Sequence, residues 1–85
     1  MTELTNSKNE VIMMNEAAIE FIISRVIENA TDALEEATQN KGDDFYKGKS
    51  FAYYEVLDTI KNELMVREQD LKQYGLDIDL EKIFL

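Results

Sequence analysis

The chain contains no cysteine, no histidine and no proline, and only three glycines. Without cysteine no disulfide can add stability, and thiol chemistry and thiolate metal sites are excluded. Without histidine the commonest general acid or base is missing, together with the usual ligand for zinc, iron or copper. With no proline and so little glycine, almost nothing interrupts a helix. Long apolar runs are lacking as well. The richest stretch, Ile19 to Ile27, is broken by Glu20 and Arg25 and is too short and charged to cross a bilayer. The first ten residues are polar with a single lysine, so no signal peptide is expected and a cytoplasmic location is.

Basic residues are scarce too. Nine Lys and Arg stand against eighteen Asp and Glu, a net charge of −9. Phosphate backbones and anionic lipid surfaces repel such a chain, so neither direct nucleic-acid binding nor membrane binding is expected. Its 85 residues make one small domain, near the lower limit for a self-sufficient core.

What is present is helical periodicity. Tyr46, Ser50, Tyr53, Leu57, Ile60, Leu64, Arg67, Leu71 and Tyr74 recur at alternating steps of four and three, which keeps them on one face of a helix. Ile12, Glu16, Ile19, Ile23, Val26, Ala30, Ala33 and Ala37 form a second stripe of the same kind. Residues 1–6 show no apolar pattern and are expected to be disordered. Ser7 and Glu10 have the spacing of a capping box, which predicts a first helix over about 8–40 within a single domain, 7–85. Asn40-Lys41-Gly42-Asp43-Asp44 is a breaker, with Gly42 suited to end one helix and either aspartate to cap the next. The second helix is predicted over about 45–74. Gly48 weakens its first turns and places the regular part from Ser50, while Gly75 closes it. The segment 76–85 alternates like a strand at first and then reads as a helical turn capped by Asp77 or Asp79; its end, Ile83-Phe84-Leu85, is expected to dock.

A short loop between two helices implies an antiparallel hairpin. Centring the turn near Lys41 and Gly42 brings residues whose numbers sum to about 83 to the same level. Alanines 30 and 33 then face Tyr53 and Ser50, and Val26, Ile23 and Ile19 face Leu57, Ile60 and Leu64. Glu16 and Arg67, the charged interruptions of the two seams, fall opposite one another and are predicted to pair, fixing register more than adding stability. Val11, Met14, Ala18, Phe21 and Ile22 lie outside the seam and widen the apolar arc of the first helix. Two helices alone cannot bury them. Dimerisation into a four-helix bundle can, and so can a tail folded back over Phe21. The fold class expected is thus all-α, a two-helix hairpin with a short C-terminal segment, forming a homodimer.

Few residues suggest chemistry. Glu55-Val56-Leu57-Asp58 places two carboxylates three apart on one helical side, where they can share a hard cation such as Mg²⁺. This resembles half of the metal site of the all-α nucleotide pyrophosphohydrolases (the MazG-like family), and the resemblance implies a Mg²⁺-dependent hydrolase. The first helix departs from that pattern: Glu16, Glu20 and Glu28 do not reproduce the family's acidic cluster, and Glu35 and Glu36 lie near the loop. A solvated helical face is the simpler account of Glu55 and Asp58. Phe51, Tyr54 and Met65 fall off the main seam and, with Phe21, are the candidate partner-binding surface. The segment Phe45 to Lys61, with Tyr74-Gly75-Leu76, resembles small uncharacterised helical proteins of bacterial genomes. That resemblance covers mainly the second half of the chain and implies a hairpin without an assigned activity. The expected role is that of a small acidic protein–protein interaction or regulatory module, with no cofactor and no catalytic residue.

Overall fold

The first described helix opens at a single asparagine. In a computed structural model of the chain, which describes residues 15–85, α1 spans Glu16–Gln39. The Asn15 side chain accepts a hydrogen bond from the Ala18 amide at 2.8 Å and satisfies one donor that every helix start leaves open. The predicted capping box at Ser7 and Glu10 lies outside the described residues.

The breaker behaves as its composition demands. The Asn40 backbone and side-chain amides both donate to the Glu36 carbonyl, at 3.0 and 2.8 Å. Gly42 then turns the chain at φ 93°, a conformation that costs a residue with a Cβ about 1–2 kcal/mol. Asp43 caps α2, Asp44–Val66, by accepting from the Phe45 amide at 3.0 Å. Gly48 does not delay this helix, which is regular from Asp44. The penalty of one interior glycine is local, and tertiary packing on α1 outweighs it.

Small residues set the closeness of the two helices. Ala30 and Ala33 of α1 and Ser50 of α2 are buried, as are the larger Ile23 and Leu57. Lys49 reaches Glu36 across the hairpin at 3.1 Å, two residues from the level the predicted register assigns it and within reach of these long side chains. No described helix is long and apolar enough to cross a membrane.

The second helix is shorter than its periodicity predicts. It ends at Val66, not near Tyr74. Glu68 adopts φ 55°, its amide bonds the Met65 carbonyl at 3.0 Å, and the Gln69 amide bonds the Leu64 carbonyl at 2.9 Å. This pair of bonds is a Schellman stop with glutamate where glycine is usual. A second such turn follows at once. Asp70 accepts from the Lys72 amide at 3.1 Å, and Gly75, at φ 74°, allows the Leu76 amide to bond the Leu71 carbonyl at 2.9 Å.

The double turn sends the chain back along the hairpin. A Cβ on Gly75 would stand 3.4 Å from the Ile27 Cδ1 atom, so the return begins in contact with α1. The Lys61 ammonium donates to the Ile78 carbonyl, and Asp79 caps α3, Leu80–Phe84, by accepting from the Lys82 amide at 3.1 Å. Phe84 and Leu85 finish beside Leu34, Ser50 and Phe51. The tail is thus a third layer over the groove between α1 and α2. Tyr74, Leu76 and Leu80 join Ile23, Ala30 and Leu57 in one core.

Magnitudes explain why the early stop wins. Burying each of Leu76 and Leu80 contributes about 1.5–3 kcal/mol, whereas a left-handed glutamate costs about 1–2 kcal/mol. A helix continued to Tyr74 would carry both leucines away from the groove.

Candidate interaction surface

The predicted charged pair does not form. Glu16 accepts from the Gln73 side-chain amide at 2.9 Å, and Arg67 bonds Glu63, one helical turn before it, at 3.0 Å. The cause is the stop at Val66. Arg67 is the C-terminal cap of α2 and no longer continues its seam toward Glu16. Both partners in the Arg67–Glu63 pair are exposed, so it adds little stability.

The two carboxylates considered for a cation lie on the outer side of α2. Glu55 is exposed, and an oxygen of the half-buried Asp58 accepts from the Asn62 side chain at 3.3 Å. Among the described residues no group of three or more acidic, histidine or cysteine side chains is placed to hold a metal ion.

The four residues predicted to meet a partner separate into different settings. Phe51 and Tyr54 stack with their ring centres 5.8 Å apart and adjoin the tail. Tyr54 is half-buried there, and its hydroxyl titrates above the usual range. Burial is the main cause, followed by the charges of Asp58, Glu81, Asp79 and Glu55. Tyr54 is therefore largely a contact of the tail and not a free surface. Met65 and Phe21 remain exposed, Phe21 to 63%. The tail does not cover Phe21 or Ile22; Val11 and Met14, the other end of that arc, lie outside the described residues.

The α2 half of a face whose α1 half, around Ile22, the sequence already marked emerges from the Lys49–Glu36 bridge. Steps of seven along α1 place Ile22 and Asn29 in line with Glu36, and steps of seven along α2 place Val56 and Glu63 in line with Lys49. The bridge joins these two lines on one side of the hairpin. On each helix this side is about half a turn from the residues that meet the tail, Ile27 and Leu34 on α1 and Tyr54 and Lys61 on α2. Ile22 and Val56 are about half exposed there, at 51% and 47%, with Val26, Tyr53 and Ile60 half-buried between them. The signal was present in the sequence as a second heptad line beside each seam. It became readable only once the tail was known to occupy the other groove.

Lys49 titrates above the usual lysine range because it donates to Glu36 and feels its charge. Tyr74 is likewise raised, chiefly by burial and then by Glu16 and Glu20. Comparison of the chain with protein-family models, curated proteins and solved structures finds no match.

Proposed function

We propose that the protein is a small acidic, non-enzymatic interaction module whose face left open by the described tail takes a second copy of itself, completing a four-helix bundle. The observation that carries this reading is the exposed Ile22 and Val56 on one side of a hairpin whose opposite groove its own tail already fills. Half-buried Val26, Tyr53 and Ile60 lie between them, so an apolar strip runs between the helices at the position where a bundle partner docks. Charge favours a self-complementary arrangement with few unpaired acids at its centre, because the acids beside the strip are paired, Glu36 with Lys49 and Glu63 with Arg67.

Light scattering tests the proposal. The native chain is expected to show a dimer mass at high micromolar concentration, and Ile22→Glu with Val56→Glu is expected to show a monomer with unchanged helix content. Equal masses for the two proteins would overturn it.

A further inference from the structure

The segment Arg67–Tyr74 has two uses for the same residues. In the structure it forms two tight turns, the first made by Glu68 at φ 55°. In the sequence it continues α2 without a break. Leu71 and Tyr74 stand seven residues after Leu64 and Arg67, and Arg67, Glu68, Gln69, Leu71, Lys72 and Gln73 are good helix formers. Glu68 also stands four residues before Lys72, the favourable order for a helical ion pair that only the continued helix can make. No residue before Gly75 dictates a stop. The turn at Glu68 is held by the tail, which buries Leu76 and Leu80 against Leu57.

We infer that residues 67–74 are a hinge, and that the tail of one copy can occupy the groove of a second. In the open state α2 runs on toward Tyr74, the left-handed glutamate is relieved, and the Leu76–Leu80 segment is carried out of its own groove. The segment that fits the vacated groove is already known, because it is this one. Two open copies therefore exchange tails and restore the core contacts of Leu76 and Leu80 in trans. The occupant is a second copy of this chain, and the exchange does not depend on the Ile22–Val56 face.

The test compares Glu68→Gly with Glu68→Ala, each refolded from urea at millimolar protein. Glycine removes the cost of the turn and disfavours the helix, whereas alanine keeps the cost and favours the helix. The exchanged dimer is expected to be weaker by roughly tenfold or more in Glu68→Gly, with higher helicity by circular dichroism in Glu68→Ala. In a mixture of isotope-labelled and unlabelled Glu68→Ala chains, filtered NOEs are expected between Leu57 and Leu80 methyl groups of different chains. A wholly monomeric Glu68→Ala protein, equal dimer affinities in the two variants, or Leu57–Leu80 NOEs confined to single chains would each overturn the inference. Adding Ile22→Glu to Glu68→Ala separates this reading from the face dimer: cross-chain NOEs survive if the tails exchange, and their loss overturns the exchange.

Discussion

At the scale of single residues, the capping chemistry was legible. Asp43, Asp79 and Gly42 do what their types and positions demand, because a short polar side chain before a helix and a glycine after one have few alternatives. Glu68 was not legible, since nothing local marks a glutamate for the left-handed region. Its conformation is imposed by leucines eight and twelve residues further on. Replacing it with glycine should raise the stability of the closed monomer by about 1 kcal/mol, read as a higher urea midpoint with an unchanged slope. Leu57, fully buried beneath the tail, is the opposite case. Leu57→Ala should cost about 2–5 kcal/mol in the same experiment, a large part of the stability of so small a domain.

Titration also belongs to this scale. Lys49, Tyr54 and Tyr74 hold their protons more tightly than their ordinary values of 10.5, 10.0 and 10.0. Their contribution to stability is therefore complete below those values and is lost as the pH rises through the folded-state values. Thermal midpoints should fall as the pH is taken above about 10, and Tyr54→Phe should reduce the fall. Absorbance at the tyrosinate band should show two of the four tyrosines ionising late.

At the scale of elements, the hairpin was legible and its third layer was not. Alternating steps of three and four define which faces of α1 and α2 meet, and Ala30, Ala33, Ser50 and Leu57 are buried as those steps require. The same steps continue past Val66 and so concealed the end of α2. Local pattern reports what a segment can be. The choice between a longer helix and a docked tail is made by the burial of Leu76 and Leu80, a contact distant in sequence. Removing residues 76–85 should accordingly expose Leu57 and Ile23, lower the thermal midpoint and raise binding of a hydrophobic dye, while α1 and α2 retain most of the helical signal. A truncated chain as stable as the whole one would mean that the tail contributes nothing to the core.

At the scale of the whole molecule, the tail divides the hairpin into a covered groove and an open face. The surplus apolar surface of α1 was evident from Phe21 and Ile22 in the sequence. Which residues of α2 join it depends on which side the tail takes, and only the Lys49–Glu36 bridge and the position of Val56 reveal that. Of the predicted partner residues, Phe21 is exposed on α1, whereas Phe51 and Tyr54 belong to the tail side. The most direct measurement is a methyl NMR dilution series from millimolar to low micromolar protein. The account predicts that the Ile22, Val26, Val56 and Ile60 methyl signals shift together along one binding curve, while those of Leu57, Leu76 and Leu80 stay in place. Signals that remain fixed at Ile22 and Val56 over the whole range would contradict it.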